Sequence, residues 1–489
     1  MERRIRWLGI FVILCFLVLF LQLNNLQLVQ AKKLNSSPGN PRIVLQRYSE
    51  PRGTIVSAGG QILAESKPVS NGIYKYQRVY PTGPLFSQVV GYFSYIYGES
   101  GVEAAYNKYL VAHQSPITSL GDLLLSNHTV TDDITLTLSS RLQQLAQKEL
   151  AGRPGAIVVM DPTTGAIRAM YSNPTYNPNP LASPNAATEH QAWLADNTPD
   201  SHGFPPLLAL AYQRSFPPGS TFKIVTTSAV YEHDPKLINK VYPVRTQIPL
   251  PDTTQTLHNY AYEACGGDIA QLLPPSCDTG YAMLGMDLGP KYLSEEAHAF
   301  GFDQVPPLDI PGAAASSFPP LSSFKGNEPF VAYSAIGQGN VSATALQMAM
   351  VASAIADGGV IMKPHVVQSI HNSQGKLVMS YQPSPWLRPT SQKTAGAIRN
   401  LMVAVAQHGT AAGLFPASLH AAAKTGTAQM DTVQHYTTDW LEAFAPANDP
   451  KAAVAVMVPY QLESSTGNSV AGPIISTMLQ AAVNSAGQG

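Results

Sequence analysis

The sequence predicts a multidomain α+β protein: an N-terminal transmembrane helix, a small α+β module, and a larger C-terminal domain whose central antiparallel sheet is flanked by helices. Three observations carry this reading. A basic cluster at the start of the chain runs into an unbroken apolar segment. Short alternating stretches mixed with one helical pattern follow it. From Gly155 onward, strand, turn and returning strand give way to long apolar helical patterns. With 489 residues the chain has room for a large core and more than one domain. Charged residues make up only 12% and the formal net charge is -1, which excludes a basic nucleic-acid surface and an acidic disordered tail. The 40 prolines suit a loop-rich extracytoplasmic protein better than a helical bundle.

Arg3, Arg4 and Arg6 precede the apolar run Trp7 to Leu21, and no charge appears before Lys32. A segment of that length spans a bilayer with the arginines on the cytoplasmic side. We therefore expect a cytoplasmic tail at 1–6 and a transmembrane anchor at 7–27. The competing reading is a cleaved signal peptide ending at Val29-Gln30-Ala31. That apolar run is at the upper limit for a signal peptide and stops well before Ala31, which favours retention as a single-pass anchor. Lys33 to Arg47 reads as polar and irregular. Two β-like runs, Thr54-Ile55-Val56 and Gln61-Ile62-Leu63-Ala64, surround Gly59-Gly60 as in a hairpin. Val89 to Tyr92 reads as a short strand and Gly101 to Tyr106 as a helix start. Asp133 to Leu138 alternates as a strand, and Ser139 to Leu150 has helical spacing with Ser139 or Ser140 as its cap. The region 28–152 is thus a linker and a small module without a catalytic constellation, in which Glu103 is a candidate for a tying salt bridge.

The second domain is placed at 153–489. Ala156 to Met160 and Ala166 to Met170 flank an Asp161–Gly165 turn and are expected to be central strands. Ser172 to Asp200, rich in Pro and Asn, reads as loop. Ala452 to Val458 is a strand, and Pro473 to Val483 a helix packed on the sheet. The chain shows neither an internal repeat nor a low-complexity tract. Its three cysteines, Cys15, Cys265 and Cys277, lack C-x-x-C spacing. Cys265 and Cys277 form a disulfide outside the cytoplasm or remain two buried thiols. His258, His298 and His365 have no partner at ligand spacing and read as surface or capping residues rather than metal ligands. His435 reads as a turn residue.

Chemistry concentrates in Pro217-Pro218-Gly219-Ser220-Thr221-Phe222-Lys223. A turn leads into an apolar segment, so Ser220 stands at a helix start with Lys223 one turn on. A serine hydroxyl needs a proton acceptor, a lysine amine of lowered pKa can serve, and free helix N–H groups stabilise developing negative charge. Alone the spacing is common. Downstream, however, stand Ser276-Cys277-Asp278 and a strand-like Ala423-Lys424-Thr425-Gly426-Thr427-Ala428. S-x-x-K, an S-D-N-type element and K-T-G, in that order, are the signature of β-lactamases and penicillin-binding proteins.

The chain resembles a class B penicillin-binding protein, a monofunctional peptidoglycan D,D-transpeptidase of the elongation or division type. The likeness extends to Arg52-Gly53-Thr54-Ile55, Gly60 to Ala64, Gly101-Val102-Glu103 with Tyr106-Asn107, Ile336-Gly337-Gln338-Gly339, Thr344 to Ala349, and Asp439-Trp440 with Ala443 to Pro446. No glycosyltransferase domain fits before Gly155, which excludes a bifunctional class A enzyme. The resemblance implies a pedestal (dimerisation-type) domain and a penicillin-binding, β-lactamase-like transpeptidase domain. It implies Ser220 as nucleophile, Lys223 as its proton acceptor, Ser276 as proton relay and Lys424 as positive charge. Asp278, Thr425, Gly426 and Thr427 would bind substrate, and the backbone N–H groups of Ser220 and Thr427 would form the oxyanion hole. No metal or cofactor is implied. The implied partners are peptidoglycan stem peptides on lipid-linked precursor strands, β-lactams, and a polytopic glycan polymerase.

One position departs from the family. Asp278 stands where asparagine is usual; an ionised aspartate accepts hydrogen bonds but does not donate, and favours the ammonium form of a nearby Lys223. A tolerated variant, a shifted pH optimum, and a weakened enzyme acting as penicillin-binding sensor or scaffold all follow from it. A β-lactamase is a further alternative, but no carboxylate between Ser276 and Lys424 stands in an evident deacylation motif. A D,D-carboxypeptidase uses the same residues.

Overall fold

The computed structural model describes residues 2–30, 49–70, 74–114, 129–431 and 435–486. The stretch Lys33 to Arg47 lies outside them, as does Ala31. The first helix, α1 (Glu2–Asn24), belongs to a segment, Arg3–Gln27, long and apolar enough to cross a membrane; none of its most apolar window is buried in the protein.

The next unit is built on a six-stranded sheet. Strand β1 (Ile55–Val56) pairs antiparallel with β2 (Ile62–Pro68), the hairpin expected at Gly59-Gly60, and β2 pairs with β3 (Tyr76–Val79). On its other side β1 runs parallel to β4 (Asp132–Leu136), whose residues alternate between buried and half-buried. Helix α2 (Ser140–Leu150) is capped by Ser139, whose Oγ accepts from the Leu142 N–H. Val89 and Val90 lie not in a strand but in a helical turn, Ser87–Val90, ended by Gly91 at φ +82°. Their β-branched side chains favour a strand in isolation, yet both are buried in the core, and burial outweighs that preference.

The C-terminal unit holds a five-stranded antiparallel sheet. Its strands are β5 (Gly155–Met160), β6 (Ile167–Asn173), β9 (Ala422–Asp431), β10 (Tyr436–Ala445) and β11 (Ala452–Leu462), in the order β6-β5-β11-β10-β9. Strand β5 is interior as expected, but β6 is an edge, because the last strand of the chain takes the place beside β5. Between β6 and the Ser220 turn lies α3 (Ala186–Asn197), where a loop was expected. Asn185 accepts from the N–H groups of Ala187 and Thr188, and the Ala, Glu, Gln and Leu that follow are good helix formers hidden behind a proline-rich approach.

Helices α4 (Lys223–His233), α5 (Asp278–Leu288) and α6 (Pro290–Ala299) lie before the buried α7 (Ala345–Ala356). Strands β7 (Val367–Asn372) and β8 (Leu377–Ser380) follow it, then α8 (Gln392–His408) and, at the end, α9 (Gly467–Ala486). Helices α2 and α9 cover one face of the five-stranded sheet and α7 the other; α8 packs against β9. Every residue of β5 is buried, as a strand covered on both faces requires.

The β7–β8 hairpin joins not this sheet but the first one. β7 pairs antiparallel with β4, so the order there is β8-β7-β4-β1-β2-β3. Asp309 locks the junction: it accepts from the N–H groups of Val366 and Val367 and from the Tyr106 hydroxyl at 2.7, 3.0 and 2.9 Å. His365, expected at the surface, is buried there and stacks on Tyr381 with ring centroids 3.6 Å apart.

Glu103 ties the first unit together. Fully buried, it receives Arg52 at 2.8 Å on one oxygen and Arg78 at 2.6 Å on the other, with the Tyr80 hydroxyl donating at 3.3 Å. Burial alone would raise its pKa, but Arg78 and Arg52 outweigh burial and hold the carboxyl below its ordinary value. Removing one member of such a group leaves buried charge uncompensated. Glu103→Gln should therefore lower unfolding free energy by about 3–5 kcal/mol in urea titrations. A loss within about 1 kcal/mol, the range of an exposed pair, would contradict this role.

Candidate active site

The site forms where the Pro217–Thr221 turn meets β9. Gly219 takes φ +53°, a left-handed conformation that suits glycine, and its N–H donates to Gly337 O at 3.0 Å. A Cβ at Gly219 would stand 2.7 Å from Thr427 O, and one at Gly426 2.8 Å from Pro218 O. Both glycines are thus required by close backbone approach. From β10, the buried Trp440 donates its Nε1–H to Pro217 O at 2.8 Å and fixes the turn from beneath. Ser220 lies in a 3-10 turn, Gly219–Phe222, rather than in the helix proper, and Lys223 is the first residue of α4.

Lys223 is fully buried. Its Nζ donates to Ser276 O at 2.7 Å, Ser276 Oγ at 3.2 Å and Asp278 Oδ1 at 2.7 Å. Three acceptors for three N–H bonds match an ammonium. Burial lowers the Lys223 pKa, and the Asp278 charge only partly offsets it. Lys424, also fully buried, donates to Ser276 Oγ at 2.8 Å and Thr425 O at 2.7 Å. Its pKa falls well below the ordinary value through burial and then the neighbouring Lys223 charge, against Asp278 and Glu442. Ser276 Oγ therefore bridges the two lysines.

Ser220 and Lys223 meet at the site, but the hydrogen bond of Ser220 Oγ runs to Asp278 Oδ1, at 3.4 Å. That same oxygen receives Lys223. Asp278 opens α5, where the helix dipole favours its negative charge. Thr425 Oγ1 shares a 2.6 Å hydrogen bond with Thr410 Oγ1, and Thr427 Oγ1 accepts from the Gly467 N–H at 3.0 Å. Neither Thr410 nor Gly467 carries a sequence signal for this place; the end of α8 and the start of α9 bring them against β9.

Cys265 and Cys277 form a disulfide, with Cα atoms 5.8 Å apart. It ties the strand Cys265–Gly267 to the residue between Ser276 and Asp278, next to Ser276 at φ +59°. Of the other residues singled out in the sequence, His258 stacks on Tyr262, and His435 sits at a turn and pairs with Glu463 at 2.9 Å.

A serine at a helix entrance, two buried lysines sharing one hydroxyl, and a glycine-bearing edge strand define an active-serine acyl-transfer site on an α/β sandwich. Comparison with known proteins narrows the class. The penicillin binding protein transpeptidase domain matches residues 155–480, and the penicillin binding protein A dimerisation domain residues 52–129. The peptidoglycan D,D-transpeptidase PbpA of Mycolicibacterium smegmatis is 33% identical over 99% of both chains. The ceftriaxone acyl-enzyme complex of penicillin-binding protein A from M. tuberculosis superposes with TM-score 0.82 at 31% identity, covering 90% of this chain and 100% of that one. A D,D-transpeptidase domain from Eggerthella lenta gives TM-score 0.77 at 32% identity, over 90% and 100%. The chain belongs to the penicillin-binding protein transpeptidase family.

Behind the site, Asp439 pairs in register with Thr427 and is buried. Burial raises its pKa to about 6, although Ser465 and Thr437 donate to it at 2.7 and 3.4 Å. A carboxyl raised in the native state keeps a proton that the unfolded chain has released, so its contribution to stability is full below the unfolded pKa and fades as pH rises through the folded one. Relative to Asp439→Asn, the wild type should lose about 2–3 kcal/mol between about pH 4 and pH 6.5, measured by chemical denaturation. Parallel stability curves for the two proteins would rule this out.

Proposed function

We propose that the chain is a membrane-anchored serine D,D-transpeptidase that cross-links peptidoglycan stem peptides and is acylated by β-lactams. The observation that carries this reading is the single network in which Ser276 Oγ receives both Lys223 and Lys424 while Asp278 Oδ1 joins Lys223 to Ser220. Ser220 Oγ attacks the carbonyl between the two D-alanines, and its proton passes to the neutral amine of Lys223. The C–N bond breaks to give an acyl-enzyme, and the terminal D-Ala leaves with a proton relayed through Ser276. The amine of a neighbouring stem peptide then attacks the ester, forming the cross-link and restoring Ser220. Lys424 with Thr425 and Thr427 holds the substrate carboxylate; Gly426 lets the edge strand approach the Ser220 turn. The backbone N–H groups of Ser220 and Thr427 serve as the oxyanion hole.

The chain divides, on this reading, into a cytoplasmic tail (1–6), an anchor (7–27), a linker and pedestal (28–152) and a transpeptidase domain (153–489). The arginines before the apolar helix favour the catalytic part outside the plasma membrane, which agrees with a Cys265–Cys277 disulfide. A polytopic glycan polymerase is the partner proposed for the anchor and pedestal.

Asp278 acts as a brake on acylation. At 2.7 Å it favours the ammonium of Lys223, the form that does not accept the serine proton.

A fluorescent penicillin should label the ectodomain stably, with the label lost in Ser220→Ala. Fast release of hydrolysed drug would mean a β-lactamase instead, and no Ser220-dependent label at any pH would leave only a scaffold. Replacing Asp278 by Asn should speed labelling about tenfold near neutral pH, because losing the aspartate charge lowers the Lys223 pKa further. Equal rates for the two proteins would show that the aspartate is a neutral substitute.

A further inference from the structure

Glu442 has no part in the reaction as written, yet it occupies a costly place. It lies on β10 directly opposite Lys424 of β9, and directly opposed residues of an antiparallel pair share a face of the sheet. Every residue from Thr437 to Ala445 is buried, and Glu442 is fully so. Among the described residues no hydrogen-bond donor reaches either of its carboxylate oxygens. An aliphatic side chain would fill this position at no electrostatic cost, whereas an isolated buried carboxylate is strongly disfavoured.

The charges around the pair are few. Lys223 of α4 and Asp278 of α5 act on Lys424, and Lys424 is the charge that acts on Glu442. Helices α7 and α9 and strand β11 carry no charged residue. On α8, Lys393 and His408 are exposed and Arg399 is half-buried. Asp278 is already bonded to Lys223. Of the two carboxyls that act on Lys424, Asp278 is the stronger but is engaged by Lys223, and Glu442 lies across the ladder from Lys424 without a direct bond to it.

We propose that Glu442 is a positioning residue that keeps Lys424 in its ammonium form, so that the cleft accepts an acyl donor ending in a carboxylate. The inference rests on the assignment of Lys424 to the substrate carboxylate. Burial raises the Glu442 carboxyl well above its ordinary range while Lys424 opposes that rise, and burial lowers Lys424. The two side chains thus compete for a proton, and the arrival of a substrate carboxylate favours the lysine as its holder.

The test compares acylation by benzylpenicillin, which bears the carboxylate, with that by its methyl ester, which does not. In Glu442→Gln, the second-order rate constant for benzylpenicillin should fall about tenfold at about pH 8, and the alkaline limb of its pH profile should move down by about one unit. The methyl ester should react at the wild-type rate. An unchanged benzylpenicillin profile, or an equal loss for acid and ester, overturns the proposal and leaves the transpeptidase reading intact. A wild type with no Ser220-dependent label takes both down together. If Glu442→Gln does not fold, Glu442→Asp carries the test: its shorter carboxylate should move the alkaline limb part of the way, and an unmoved limb is again a refutation.

Discussion

The structure depends on one close approach of backbone to backbone. The turn carrying Ser220 lies against the edge strand β9 so tightly that side chains are excluded at Gly219 and Gly426, and Trp440 holds the turn from the strand beneath. An edge strand keeps one row of backbone donors and acceptors unpaired. In most proteins that row invites unwanted pairing; here it borders Ser220. The helices on both faces of the sheet fix β9 relative to α4, so a shift of either would separate Ser220 from Lys424.

Around that contact the protein has buried two lysines. Removing two ammonium groups from water is expensive unless acceptors and counter-charges replace the lost hydration. Ser276 supplies a shared hydroxyl, Asp278 a carboxylate, and the main-chain oxygens of Ser276 and Thr425 complete the set. The disulfide next to Ser276 holds this rim in place. Placing charge in a dry cleft makes each lysine sensitive to its neighbours, which is the condition for a site whose reactivity is set by protonation.

Much of this was legible in the residues. Ser220, Lys223 and Lys424 follow from local spacing, and Glu103 from its place in a short pattern, because each lies in a turn, helix start or strand with its own sequence signal. Patterns failed where partners are distant in sequence. Nothing near residue 367 reports that β7 will pair with β4, and nothing near Glu442 reports that Lys424 lies across from it. The contact of Ser220 with Asp278 was likewise beyond reach, since it depends on how α4 and α5 are set against each other. The helix at 186–197 is hidden for a different reason: prolines on either side suggest loop, although Asn185 between them caps the helix.

The sheet that draws strands from both ends of the chain also has a consequence in time. β4 ends at Leu136 and its partner β7 begins at Val367, so the whole stretch carrying Ser220, Ser276 and Asp278 is made before that partner exists. At synthesis rates of about 5–20 residues per second, β4 waits roughly ten to fifty seconds. During that interval the nascent chain presents an unsatisfied strand edge outside the ribosome, and the first unit closes while β9, β10 and β11 of the second are still to be made. Emergence of residue 380, rather than of residue 152, marks the moment at which this half of the protein is whole.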